Sequence, residues 1–173
     1  MKQWTRVGWP FVWAAWSVLI ILQIILSFFL YNQAGLPVLR NIGWITLALS
    51  AVFGWMPILA FRKKGGVSRG KSYIQTTVLV DSGIYALVRH PQYMSGALIN
   101  LALILITQHG LIATIGVVAV VLNYFIALKA DQELIEKFGH DYKRYMQKVP
   151  RMNFLLGLIR LAGRRNRASK RMC

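Results

Sequence analysis

Acidic side chains are the scarcest functional group in this chain: five carboxylates stand against 21 Lys and Arg in 173 residues, a formal net charge of +16. Cysteine is nearly missing too. The single Cys173 excludes an intrachain disulfide or a cysteine metal cluster, and no metal site is expected. Its terminal Arg-Met-Cys context is not a prenylation box, which places the cysteine four residues from the end. Most telling is the absence of charge from long stretches. Trp9 to Tyr31 and Ile42 to Phe61 hold none, nor do Tyr93 to Thr107 and Leu111 to Leu128. With 56% hydrophobic residues and a mean hydropathy of +0.47, such runs exclude an ordinary soluble domain.

About 20 apolar residues span a bilayer, and about 17 is near the lower limit. The expectation is one all-α integral membrane domain over residues 1–173, with four transmembrane helices in two hairpins at about 9–31, 42–61, 91–107 and 111–128. The first run is too long for a signal peptide, and no small-x-small cleavage site comes after it. Basic residues set the orientation. With both ends on one side, Lys2, Arg6, the 62–90 loop and everything after Leu128 share a face, and only Arg40 falls opposite. The positive-inside rule then puts the termini and the 62–90 loop in the cytoplasm. Asp81, Asp131, Glu133, Glu136 and Asp141 lie on that face as well, so the ionisable chemistry is cytoplasmic.

Trp4, Trp9, Trp13 and Trp16 gather near one end of the first span and Tyr31 marks the other; Trp13 and Trp16 belong either to an aromatic belt or to the bundle interior. Gly35 and Pro37 are expected to break helix in the 32–41 loop. Residues 62–72 read as a flexible basic linker, without nucleotide-loop spacing. Past Leu128 the helix continues to Phe138, with Gly139 as its C-cap, and Asp141 to Lys148 form a shorter helix ended by Pro150. Phe154, Leu155, Leu158, Ile159 and Leu161 then form an apolar stripe flanked by arginines, an interfacial helix that closes the cytoplasmic segment 129–161. The basic tail 162–173 is expected to bind anionic membrane lipids at about 1 kcal/mol per basic residue, and no nucleic acid.

The most informative stretch is Thr77 to Tyr93. A Gly-punctuated polar loop ends in Arg89-His90-Pro91 at the mouth of an apolar run. Proline favours the first helical position, so His90 occupies the N-cap and the next free N–H groups point out of the helix start beside an Arg and a His. That pattern suits an anion. Because the third and fourth spans form a hairpin, this positive element should face Asp131, Glu133 and Glu136, leaving room for a ligand that carries both signs. Two blander roles compete. Asp131 and Glu133 could simply solvate an exposed helix face, with Glu133 paired to Lys137, while Arg89, His90, Tyr85 and Tyr93 anchor at headgroups. Asn100 and Asn123, inside spans, are expected to bond each other or Gln23; Gly96 and Ala97 allow close helix packing; His109, in the outer turn, is remote from the site.

Gly83-Ile84-Tyr85, then Arg89-His90-Pro91-x-Tyr93, a helical hairpin, Phe138-Gly139-x-x-Tyr142-x-x-Tyr145 and Val149-Pro150-Arg151 together resemble the isoprenylcysteine carboxyl methyltransferase and phospholipid methyltransferase group of membrane enzymes. The likeness covers residues 77 to about 152. It implies a cofactor, S-adenosyl-L-methionine, held in a cytoplasmic pocket closed by the C-terminal segment, and a lipidic or prenylated methyl acceptor entering from the bilayer. It also implies cofactor contacts at Thr77, Val78, Leu79, Val80, Gly83, Tyr85, His90, Pro91, Gln92 and Tyr93, with Arg89, His90 and Tyr93 nearest the chemistry. Where such enzymes carry a Glu-Glu pair this chain has Ala130-Asp131, and Ile126 stands where they carry an acceptor-binding Arg. Asp131 is therefore expected to take the acidic role, supported by Glu133, with Lys129 nearby as the basic group.

The chemistry this implies is in-line methyl transfer from a sulfonium, where the protein mainly positions the partners and excludes water. A carboxylate or thiolate acceptor needs no general base; an amine must shed a proton, for which only His90 or a tyrosine is at hand. Two other readings stand beside it. Membrane sterol reductases, which use NADPH, carry a similar Arg-His-Pro-x-Tyr in much longer chains. A non-enzymatic adaptor would use only the basic tail.

Overall fold

A computed structural model describes residues 4–65 and 77–169, with side chains described between 9 and 164 within those limits. The expected linker therefore lies largely outside the described residues, as do the side chains of Trp4, Arg6 and the tail beyond Arg164. Five α-helices and one 3₁₀ turn account for the described structure, and no strand occurs among the described residues. The helices are α1 (Trp4–Phe29), α2 (Pro37–Lys64), α3 (Pro91–Thr107), α4 (Gly110–Lys148) and α5 (Phe154–Ser169); the 3₁₀ turn is Gly83–Ala86.

Three of these helices, α1, α2 and α4, are long and apolar enough to cross a membrane, and α3 is a shorter apolar helix of 17 residues. Only 6% of the apolar window of α1 is buried inside the protein, so most of that surface must find an apolar medium elsewhere. The chain is an integral membrane protein. Two boundaries differ from expectation. Pro37 does not break a helix but opens α2, as its fixed φ allows at a first helical position. At the other end α2 runs on through Arg62, Lys63 and Lys64, where cations oppose the negative end of the helix dipole.

The chain clusters into two compact units, residues 1–52 with 95–129 and residues 53–94 with 130–173. The first is a helix bundle stitched by a few polar groups. Gln23 is fully buried, and its Nε2 donates to the main-chain carbonyls of Asn100 and Ile112, both at 3.3 Å. Asn100 spends its own amide on the Gly96 carbonyl one turn back, and Gln23 meets it at the main-chain carbonyl rather than at the side chain. Ser95 donates to the Ser50 carbonyl at 2.7 Å. At the outer turn Gln108 brackets Leu36, its Oε1 accepting from the Leu36 N–H and its Nε2 donating to the Leu36 carbonyl.

Small residues set how closely these helices approach. A Cβ added at Gly43 would fall 2.7 Å from Ile106 Cγ1 and 3.1 Å from the Ala102 carbonyl oxygen. Gly96 lies against Trp16 and Asn123, as its spacing suggested. The second unit is built on the 3₁₀ turn, the ends of α2 and α4, and α5. Phe53 and Phe154 meet edge to face at 5.3 Å, and Gly157 touches the Leu87 carbonyl so closely that no side chain fits there.

Replacing Gly43 by Val should lower stability by about 1–3 kcal/mol, because backbone atoms oppose the new methyls and cannot swing aside. Gly110→Ala, which meets nothing within 4 Å, should leave melting nearly unchanged. Thermal unfolding of both variants in detergent checks this.

Candidate functional site

The second unit is organised around one carboxylate. Asp131, on α4, is 3% exposed and accepts from four side chains. Its Oδ2 takes Arg89 Nη2 at 3.1 Å and Arg151 Nε at 2.7 Å; its Oδ1 takes His90 Nε2 at 2.7 Å and the Tyr142 hydroxyl at 2.6 Å. An ionised carboxylate only accepts, so the His90 Nε2 carries the hydrogen. Burial alone would raise the Asp131 carboxyl. Hydrogen bonds from His90, Tyr142 and Arg151 outweigh it, and hold the group well below its ordinary value of 3.8.

These donors come from three separate stretches of chain, and each is locally placed. His90 is the N-cap of α3: its carbonyl accepts the first helical bond, from Met94 N–H at 3.0 Å, and Pro91 comes next as the first helical residue. The Arg89 and His90 N–H groups donate to the carbonyls of Pro150 and Arg151, which fastens the loop before α3 to the segment after α4. Tyr142 arrives through Gly139, whose φ of 57° and ψ of −124° interrupt α4 in a conformation that suits glycine alone. One turn later Tyr145 donates to the Tyr85 carbonyl at 2.6 Å. Burial pushes both phenols up, and for Tyr142 the neighbouring Asp131 adds to the shift, so each stays a neutral donor.

Beside this cluster lies a cavity of ≈ 330 Å³, within the range of about 300–1,000 Å³ usual for small-molecule sites. Arg89, His90, Pro91, Gln92 and Tyr93 form one wall, Phe61 and Tyr85 another, and Ala130, Glu133, Leu134 and Lys137 of α4 the third. The Phe61 and Tyr85 rings stand 4.9 Å apart, and the His90 and Tyr93 rings 5.3 Å. A narrow neck shares Phe61, Tyr85, Arg89 and Leu134 with this cavity. Through Val78, Leu79, Phe138 and Tyr145 the same neck joins a second hollow of ≈ 510 Å³ edged by Thr77, Asp81 and Asp141.

The residues singled out in the sequence thus separate into three groups. Tyr85, Arg89, His90, Pro91, Gln92, Tyr93 and Glu133 line the main cavity, while Thr77, Val78, Leu79 and Val80 line the neck or the hollow beyond it. Gly83 and Asp131 line none of the three. Gly83 starts the 3₁₀ turn at φ 64°. The charge pattern sets Asp131 across a ligand from Arg89 and His90; instead it binds them directly, because a buried carboxylate gains most from donors that fill all its lone pairs. Glu136 also lines none of these cavities. Sequence reasoning missed the roles of Phe61, Leu134 and Lys137, and gave none to Tyr142, Tyr145 or Arg151. Only the last three carried a signal, through their fixed spacing after Gly139.

Two guanidinium groups share the single Asp131 charge, so the cluster is net positive. The Arg89 Nε–H is buried, has no partner, and belongs to a side chain lining both cavity and neck. An orphaned buried donor of this kind costs about 1–3 kcal/mol unless an acceptor meets it. Across from it Glu133 is exposed on α4. The cavity can therefore receive a molecule with a carboxylate or similar acceptor at one end and a cationic or hydroxyl-bearing part at the other, between aromatic faces.

The phospholipid methyltransferase family model matches residues 39–139, more than half of the chain, and the chain belongs to that family. No curated protein and no solved structure matches it. Membership makes it a membrane methyltransferase acting on lipid-like substrates.

Because Asp131 is depressed in the folded state, its contribution to stability is full above pH about 4 and is lost only as pH falls through its lowered value. Tyr142 and Tyr145 are raised, so their contribution is full below pH about 10 and is lost above it. Hydrogen exchange in the second unit should accordingly be independent of these groups from pH about 5 to 9. Phenolate absorbance from these two tyrosines should appear only with unfolding.

Proposed function

We propose that the cavity binds S-adenosyl-L-methionine and that the protein transfers its methyl group to a lipidic acceptor. The unpartnered Arg89 Nε–H in the wall of a mixed-charge cavity carries this reading. Arg89 and the start of α3 would hold the amino-acid carboxylate, and Glu133 would take the ammonium or the ribose hydroxyls. Phe61 and Tyr85 offer flat apolar faces to a purine. Val78, Leu79 and Val80 border the neck and Thr77 edges the hollow beyond it, and a cofactor longer than the main cavity would extend towards them. Gly83, at φ 64°, starts the 3₁₀ turn that carries Tyr85.

When bound, the cofactor supplies a methyl group already activated by the sulfonium. The chain's task is to align and to exclude water. Arg89, His90 and Tyr93, at the mouth of α3, would orient the reacting ends. His90 holds a proton on Nε2 towards Asp131, leaving Nδ1 as the only nitrogen of that ring not engaged by the carboxylate. Tyr142 and Tyr145, kept neutral and committed to their acceptors, are poor bases. This favours an acceptor that arrives as a nucleophile, such as an isoprenylcysteine-like carboxylate. A phospholipid amine would deliver its proton to His90 Nδ1 or to solvent.

The same proposal takes α3 as a membrane span too, the third of four in chain order and beginning at Pro91, with both termini and the cavity on the cytoplasmic side. The distribution of basic residues supports that orientation.

Calorimetry on the detergent-solubilised chain should give saturable heat with S-adenosylmethionine and none with NADPH. Arg89→Gln should weaken binding by about tenfold or more, the scale of a lost charge-assisted hydrogen bond, and Glu133→Gln by a smaller factor. Equal affinity in wild type and both variants would contradict the assignment, and heat with NADPH would favour the reductase chemistry instead.

A further inference from the structure

Away from the cavity, the end of α4 and the middle of α5 enclose a trough of ≈ 470 Å³ lined by Gln147, Lys148, Ile159, Arg160, Gly163 and Arg164. Three of its six lining residues are cations and none is an acid. The ion pairs of Asp131 involve none of Lys148, Arg160 and Arg164, and the acids nearest the trough, Asp81 and Asp141, edge the neighbouring hollow that Lys148 and Arg164 also line. Arg164 is further constrained. Its Nη2 donates to the Ala86 carbonyl at 2.7 Å, while its Nε–H is buried without an acceptor. A lining with three cations and no acid, and an orphan donor beside it, both call for an anion.

The rim of the trough says which kind. Ile159, which lines it, is 70% exposed; Leu155, one turn back, and Leu158, next to Ile159, are 71% and 42% exposed. At helical spacing these three share one face of α5, while Arg160 and Arg164 lie round the helix from them. A free phosphate would leave that apolar face in water. A lipid would cover it with acyl chain while its phosphate sits among the cations. We infer that the α4–α5 trough is a binding site for the phosphate of an anionic phospholipid, separate from the methyl-transfer cavity and independent of what that cavity binds. Because Arg164 grips Ala86 and Gly157 packs on Leu87, a lipid there would also brace the turn that carries Tyr85 and Arg89.

The test is native mass spectrometry of the delipidated full chain, titrated with phosphatidylglycerol, phosphatidylcholine or inorganic phosphate. Wild type should retain phosphatidylglycerol in preference to phosphatidylcholine. Lys148→Gln with Arg160→Gln should weaken that retention about tenfold or more, without changing the melting temperature. Neither side chain lines the main cavity, and Arg160 lines only the trough while Lys148 also edges the second hollow, so a lowered melting temperature would point to a structural role and count against the site. A variant with Arg165, Arg167, Lys170 and Arg171 all changed to Gln should keep the preference. Three outcomes would overturn the proposal: loss of the preference in the tail variant alone, equal retention of both lipids, or displacement by millimolar inorganic phosphate, which would mark a soluble-anion site.

Discussion

A single buried carboxylate shared by two guanidinium groups, an imidazole and a phenol is the constraint on which the second unit depends. Each donor reaches Asp131 from a different stretch: Arg89 and His90 from the mouth of α3, Tyr142 from beyond the Gly139 break, Arg151 from the turn into α5. Removing such a charge strands the cations in a low-dielectric setting, an effect worth about 3–5 kcal/mol where one partner of a buried pair is lost. The carboxylate thus holds the cavity's wall in place without itself facing the ligand.

That arrangement also leaves one positive charge to spare. Asp131 cannot neutralise both Arg89 and Arg151, and the Arg89 side chain, which lines the cavity, keeps a buried Nε–H without a partner. A site built in this way is preorganised for an anionic end of a ligand, and the ordering has been settled by folding rather than by binding. Helix capping works in the same direction, since Pro91 cannot donate and the N–H groups after it face outward.

Much of this was legible in the sequence. Uncharged runs located the three long apolar helices and the shorter α3, Pro91 marked the start of α3, and Gly139 marked the break in α4 to the residue. The motif from Gly83 to Tyr93 identified the cavity's main wall. Pairing was harder to see. Charge pattern alone places Asp131 near Arg89 and His90, but whether a ligand or a direct bond fills the gap depends on ångström distances that periodicity does not encode. Phe61 escaped for another reason: inside an apolar run it looks like any lipid-facing residue, and only the fold turns it towards Tyr85. Pro37 is ambiguous because proline both breaks and begins helices, and here the helix-forming run from Val38 onward decides for a beginning.

The most direct test is amide hydrogen exchange on Asp131→Asn. If the carboxylate anchors the cavity's wall, the Arg89 and His90 amides, bonded to Pro150 and Arg151, should lose protection while the α2–α3 amides of the first unit keep theirs. Unchanged protection at Arg89 and His90 would mean that the wall stands without Asp131, and would contradict an anchoring role for that carboxylate.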